Sequence, residues 1–278
     1  MRSTLISVLV LSAGFLLWVP VWAEVGEGSC QTGEKVCLNN TGDVGANSCN
    51  GKGACWDNMG AVGDGSCAGQ DACFRNTGQV GDNACNYFGA CEYNRGHISQ
   101  GSCNDEYACV SNRRHIGRHS CAGSDACGGN AGAIGNHSCY GSDHTCGGNS
   151  GNIGHHSCNN AGGGDTCLGN SGTPIGNHAG NGDEACRANT ARVGKGSCNG
   201  EEACWQNAGP VDAYACNGRN ACKKNSGPIR ANSCTGRGTC TNNSVMIGNH
   251  SCNGVGACVN NTAAIGDDQC NEDGACSQ

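Results

Sequence analysis

The residues of this chain with covalent chemistry to offer are its cysteines, 27 among 278 residues. All but one fall into closely spaced pairs: Cys30 and Cys37, Cys49 and Cys55, Cys67 and Cys73, Cys85 and Cys91, Cys103 and Cys109, Cys121 and Cys127, Cys139 and Cys146, Cys158 and Cys167, Cys198 and Cys204, Cys216 and Cys222, Cys234 and Cys240, Cys252 and Cys258, Cys270 and Cys276. These are not the C-x-x-C spacings of zinc or dithiol sites, and many identical thiol pairs would serve no single reaction centre. They read as structural disulfides. Bridges within one repeat satisfy the spacing, and so do bridges between stacked repeats, whose rise of about 4.8 Å lies inside the allowed Cα separation. The within-repeat pairing is expected, because each unit is then self-sufficient and the longer interval from Cys158 to Cys167 stays in one loop. Cys186 is left over, since Gly180 stands where its partner would be. An odd thiol of this kind is either an inert buried side chain or an intermolecular cross-link.

Two further columns could do chemistry. Asn recurs three residues after the second cysteine, at Asn40, Asn58, Asn76, Asn94, Asn112, Asn130, Asn149, Asn170, Asn189, Asn207, Asn225, Asn243 and Asn261. A primary amide both donates and accepts, so stacked copies can form an inward ladder. His119, His137, His156 and His178 stand at one position of four consecutive units, with His155 beside them and His250 further on. Stacked imidazoles are ligands for Zn²⁺ or Cu²⁺. Gly and Asn hold the same position elsewhere, so the expectation is an outward polar column, with neither a metal nor a cofactor assigned.

What must position these residues is a repeat. Val or Ile recurs at 25, 44, 62, 80, 98, 116, 134, 153, 175, 193, 211, 229, 247 and 265, with ten of the thirteen intervals 18 residues long. Each unit reads [IV]-G-x-x-S-C-x-G-x-x-A-C-x-x-N-x-G-x, as in IGNHSCNGVGACVNNTAA from Ile247. Fourteen units fill residues 24–278 as a single Cys-rich domain without a linker. With 49 Gly and only 4% aromatic residues, the chain has neither the helix formers for an α-repeat nor the side chains for a conventional core. The expected fold is all-β: a disulfide-stapled β-solenoid, or β-helix, of about 14 coils. Short strands would stack on their equivalents, and glycines would serve corners by positive φ or close backbone approach. Within-coil bridges further imply a pinched rather than a regular triangular coil. Each closed loop of six or so residues contributes roughly 2 kcal/mol through the unfolded state.

The first hexad of the unit, IGNHSC in 247–252, resembles the [LIV]-G-x-x-[ST]-x element of left-handed hexapeptide β-helices. It departs from them in lacking the aliphatic residue in hexads two and three. Cys at intervals of six is similar to the disulfide-laced solenoids of insect antifreeze proteins. The unit as a whole resembles secreted Cys-rich repeat proteins. These resemblances imply architecture only and transfer no catalytic residue.

Residues 1–23 read as a signal peptide: Arg2, an apolar run from Leu5 to Trp18, and small residues Val21 and Ala23 before the cleavage point. An uncleaved anchor is the competing reading, since the run is nearly long enough to span a bilayer. Loss of Arg2 with the leader takes the net charge from −7 to −8. Export to an oxidising compartment suits the cysteines, and the acidic balance argues against a nucleic-acid partner. A secreted or cell-surface location is therefore expected, with no membrane span after cleavage.

No Ser/His/Asp grouping, phosphate loop or isolated carboxylate pair stands apart from the repeat, so an enzyme is not expected. The acids before the second cysteine (Asp71, Asp125, Glu184, Glu202) read as a solvated face. The sequence begins its repeats at once after the leader and stops in mid-coil, with no capping unit. That pattern points to head-to-tail self-association into an extracellular filament or surface layer. The alternatives are ice binding, although no Thr column exists, and adhesin-like binding of cell-surface glycans through Trp56 and Phe74. Asn39, Asn136, Asn242, Asn249 and Asn260 are N-x-[ST] acceptors.

Overall fold

A computed structural model describes residues 5–12, 15–31, 33–160, 164–171 and 173–278. The leader segment forms an antiparallel hairpin of β1 (Leu5–Ser12) and β2 (Phe15–Trp22), in register from Leu5↔Trp22 to Ser12↔Phe15. The expected cleavage after Ala23 is a matter of processing that this hairpin does not bear on. From there the chain is a repetitive, disulfide-rich solenoid. Each aliphatic residue pairs in parallel with its counterpart one coil on, in an unbroken series from Val25↔Val44 to Ile247↔Ile265.

No helix occurs among the described residues, and the only longer strands in the repeats are β3 (Ala122–Ser124) and β4 (Tyr140–Asp143), which pair in parallel. The extended sides expected from the hexad pattern are thus reduced to one bridge per coil. The backbone explains why. In the coil starting at Val44, Asn47, Cys49, Gly53, Cys55 and Asp57 all have φ between 53° and 68°. The same fourth, sixth, tenth, twelfth and fourteenth positions recur on the left-handed side in coil after coil, as at Gly196, Cys198, Glu202, Cys204 and Gln206. A left-handed residue breaks an extended strand, and for a side chain with a Cβ it costs roughly 1–2 kcal/mol.

The turns so made carry the cysteines, and the short strands expected to stack coil on coil are correspondingly reduced. Second cysteines such as Cys73, Cys222, Cys240 and Cys258 have φ of 58°, 54°, 51° and 57°. Cys91, Cys109 and Cys127 depart from this pattern and are not left-handed. At Cys109 and Cys127 the peptide faces the other way: their N–H groups donate to Ala90 and Ala108 of the preceding coil at 2.8 and 2.7 Å. Cys55, by contrast, donates to Ala72 of the following coil at 3.0 Å. Glycines after the aliphatic residue act differently: Gly45 is not left-handed, but a Cβ there would lie 2.6 Å from the Asp64 nitrogen.

The interior is a column of small and sulfur-bearing side chains. Cysteines, the alanines before them and the Val/Ile column are almost all inaccessible to solvent. Between these run polar ladders that join coil to coil. The Asn column is continuous: each side-chain amide donates to the Oδ1 of the preceding copy at 2.7–3.3 Å, from Asn58→Asn40 to Asn261→Asn243. Its second N–H caps a carbonyl in its own turn, as Asn112 does to Arg114 at 2.7 Å. A Ser ladder, not foreseen in the sequence, runs through the fifth position. Ser120 Oγ accepts the Ser138 amide at 3.2 Å and donates to the Gly135 carbonyl at 2.8 Å.

Replacing a mid-stack rung therefore strands partners on both sides. Asn112→Ala leaves the Arg114 carbonyl without its side-chain donor and removes the rungs to Asn94 and Asn130. Loss of this buried set should lower stability by about 2–4 kcal/mol, against about 0.5 kcal/mol or less for exposed Met59→Ala. Guanidinium unfolding of the two oxidised variants, followed by circular dichroism, measures both shifts.

Candidate functional site

The side chains left over once the ladders are satisfied form the candidate site, a row of imidazoles on the surface. His119, His137, His156 and His178 share the fourth position, with φ of 49–57°. Gly, Asn, Asp and His are the types that tolerate such a backbone, and they make up this column apart from Tyr214 at φ 59°. All four histidines are exposed. Successive ring centroids lie 5.4, 5.1 and 5.1 Å apart, with planes within 18° of parallel.

Backbone on both flanks of the row is tied down by further ladders that the sequence did not reveal. On one side the amides of Asn159, Asn181 and Asn199 donate to the carbonyls of His137, His156 and His178 at 2.9–3.2 Å. Each of these Asn residues also accepts the amide N–H of the same position one coil back. On the other side Asn136 accepts from Arg118 N–H, His155 Nδ1 from Asn136 N–H, and Asn177 from His155 N–H, all at 2.9 Å. His155, adjacent to the row in sequence, is thus a structural acceptor. The signal for these ladders was there in outline, as Asn recurring after the first cysteine.

A second imidazole pair lies one residue before the aliphatic column. His97 and His115 stack at 5.2 Å and 6°, and His115 Nε2 meets Ser99 Oγ at 3.1 Å. Partial burial, then the neighbouring His97, hold His115 below the usual imidazole pKa.

Thirteen disulfides close the coils, each within its own coil and none between coils. Six precede the insertions or adjoin them: Cys30 to Cys37, Cys49 to Cys55, Cys67 to Cys73, Cys85 to Cys91, Cys103 to Cys109 and Cys121 to Cys127. Two more, Cys139 to Cys146 and Cys158 to Cys167, share with Cys30 to Cys37 a loop longer than the usual six. Five follow the unbridged coil: Cys198 to Cys204, Cys216 to Cys222, Cys234 to Cys240, Cys252 to Cys258 and Cys270 to Cys276. Their Cα–Cα distances are 5.6–5.9 Å throughout, so the reversed peptides at Cys109 and Cys127, and the absence of a left-handed backbone at Cys91, leave the bridge geometry unchanged.

Sulfurs of neighbouring coils come close, those of Cys103, Cys109 and Cys121 lying within 4.8 Å of one another. Being disulfides, they offer no thiolate to a metal. Cys186 is free and fully buried, which pushes its thiol up to about 12. A Cβ built on Gly180 would sit 3.2 Å from Cys186 Sγ and 3.0 Å from Cys167 Sγ, so position 180 is the missing half of a bridge.

The acids before the second cysteine occupy the left-handed tenth position, Asp71 at φ 54° and Glu202 at 53°. Glu202 pairs with Lys223 at 2.6 Å, and Glu184 with Arg187 at 3.2 Å. Trp56, Phe74 and Tyr93 pack in series with centroids 4.9 and 5.4 Å apart, the first pair tilted by 45° and the second edge-on at 72°. Lys35 caps Trp56 at 4.2 Å, and the Arg75 guanidinium lies 5.0 Å from Phe74.

Regular 18-residue cysteine spacing, within-coil bridges and stacked Asn define a Cys-rich repeat protein. The chain belongs to the family described as Domain of unknown function (DUF7640), whose model matches it three times in overlapping stretches, residues 20–106, 58–163 and 160–240. No curated protein and no solved structure matches the chain.

Two outcomes follow. The native protein should resist thiol reagents, and unfolding without reductant should release one reactive thiol out of 27 cysteines. Gly180→Cys should abolish that thiol and raise stability by about 2 kcal/mol, read by alkylation mass spectrometry and denaturant midpoint. Separately, His97→Asn should raise the pKa of His115 by removing both the neighbouring charge and part of its cover. Titration of the ring protons by NMR reports the shift, and a lower or unchanged value would contradict the stacking argument.

Proposed function

We propose that the protein is an exported, non-enzymatic structural element, a β-solenoid that associates head to tail into an extracellular filament or layer. The observation that carries this reading is the one-way sense of the ladders. Every Asn rung donates toward the preceding coil and accepts from the following one. The two faces of any coil are therefore complementary, and a coil without a neighbour on one side presents what a second copy's opposite face requires. Such a contact is heterologous and propagates rather than closes. Support for export comes from the thirteen disulfides, which persist in oxidising compartments, together with the leader expected over residues 1–23. Among the described residues no helix is long and apolar enough to cross a membrane. The cysteine and Asn columns recur from coil to coil rather than meeting once, a pattern suited to a scaffold rather than to an active site.

Charge sets the conditions of assembly. Exposed Glu24, Glu27 and Glu34 lie in the first coil described, and exposed Asp267, Asp268, Glu272 and Asp273 in the last. Docking these ends brings like charges together, and salt screens that repulsion. Leader-free protein should lengthen into rods as NaCl rises from about 10 mM, where the Debye length is ~30 Å, to about 200 mM, where it is under ~10 Å. Negative-stain electron microscopy with sedimentation velocity measures this; monomers at every salt concentration would refute end-to-end association.

A further inference from the structure

The imidazole row has a property that the ladders do not use. His115, His155 and His250 each have a ring nitrogen engaged, with Ser99, the Asn136 amide, and Asn232 with Asp268. The rings of His119, His137, His156 and His178 are exposed and stack on one another, His119 also lying against Gly101; among the described residues no hydrogen bond or ion pair engages their nitrogens. Their left-handed backbone does not require imidazole, since Gly101 and Gly196 hold the same position on either side of the run. Nor does packing, since the side chains lie outside the core.

We propose that these four residues form an edge that binds divalent transition ions favouring nitrogen donors, Cu²⁺ above Ni²⁺ and Zn²⁺. Imidazole suits this class, and Cu²⁺ heads the affinity order for such donors. Metal–nitrogen bonds of ~2.0–2.1 Å need donor atoms about 3–4 Å apart. The parallel rings have centroids 5.1–5.4 Å apart, so neighbouring imidazoles stand wider than that spacing. Leaning adjacent exposed rings together closes the gap without moving the backbone, which the flanking Asn ladders fix. Binding is thus pairwise: His119 with His137 and His156 with His178 take up to two ions per chain. Protons compete for the same nitrogens, so affinity falls on acidification. The site is complete within one chain and does not rest on filament formation.

The test uses the full oxidised protein and Cu²⁺ alone. Calorimetry should give up to two ions bound, and electron paramagnetic resonance should show nitrogen splitting from more than one imidazole. His137→Asn with His156→Asn breaks both pairs, and Asn already holds this backbone conformation at Asn47, Asn83 and Asn232. The double variant should bind about 10-fold or more weakly and lose the multi-nitrogen signal, because chelation is lost. His250→Asn should leave both unchanged. A measurement on the unaltered chain stands beside it: Cu²⁺ should shield the four rings from diethyl pyrocarbonate while His250 remains reactive. Absence of binding, equal affinity in the double variant, or no selective shielding would each overturn the proposal.

Discussion

The structure depends on satisfying the polar groups of each coil against its neighbours. A coil of this composition has little apolar surface to bury. Its left-handed turns pair their peptides one at a time with adjacent coils, as Asn47 to Glu27 and Asp57 to Leu38 at 2.8 Å, leaving other backbone groups for side chains to satisfy. An unpaired buried peptide group costs as much as a lost hydrogen bond or more. The answer is a set of side-chain ladders parallel to the stack: the inner Asn column, the Ser column and the outer Asn column. Each rung satisfies backbone in its own coil or the next, so the ladders add to the direct backbone bonds between coils, such as Gly63 to Val80 and Asp71 to Lys52 at 2.8 Å. The disulfides act at right angles to them. They close each coil, while direct backbone hydrogen bonds and the side-chain ladders join one coil to another.

Much of this architecture was readable from residues alone. The interval between Val and Ile residues gave the coil, and the glycine at 180 singled out Cys186. The Asn column was readable because it never varies. Less legible was the conformation between these landmarks. Hexads suggested flat sides, whereas Cys49 and Cys55 both lie at positive φ, where no strand can pass. Nothing in a cysteine's identity announces a left-handed backbone, nor that Cys91 would lack one while Cys73 has it. The mixture at the fourth position did carry that information, because Gly, Asn, Asp and His share tolerance of positive φ. Read as polarity, the same mixture suggests only a surface. The Ser and outer Asn ladders escaped notice for a related reason: interruptions such as Ala84 and Ala68 make them resemble casual polar residues, although Ala84 and Ala68 still donate their backbone N–H groups to Ser66 and Asn86.

Separating what the fold demands from what it merely permits is the main difficulty in reading function here. At the tenth position Asp71, Glu184 and Glu202 follow the same backbone rule as Gly53, so their recurrence is no sign of paired acid–base chemistry. Sulfur clusters that would suggest a metal in a reduced protein are disulfide columns instead. Imidazoles with engaged nitrogens, such as His155, belong to the scaffold. By this filter the four-ring row is the part of the surface whose chemistry the scaffold leaves unexplained.

The irregular units show how far the design bends. The bridged loop grows from the usual six residues to seven at Cys30–Cys37 and Cys139–Cys146 and nine at Cys158–Cys167, yet these three bridges keep a Cα separation of 5.8 Å, within the 5.6–5.9 Å of the regular ones. The Asn rungs across this region, Asn149 to Asn130 and Asn170 to Asn149, remain at 3.0 and 2.9 Å. Insertions are tolerated because the disulfide fixes the two ends of the loop while the ladder passes beneath it. Loss of a bridge is tolerated as well, since the rungs on either side of Cys186 hold at 2.9 Å. In a structure where coils meet only adjacent coils, each defect stays local. Covalent closure and axial hydrogen bonding are therefore separable: the first sets the shape of a coil, and the second determines whether the rod continues.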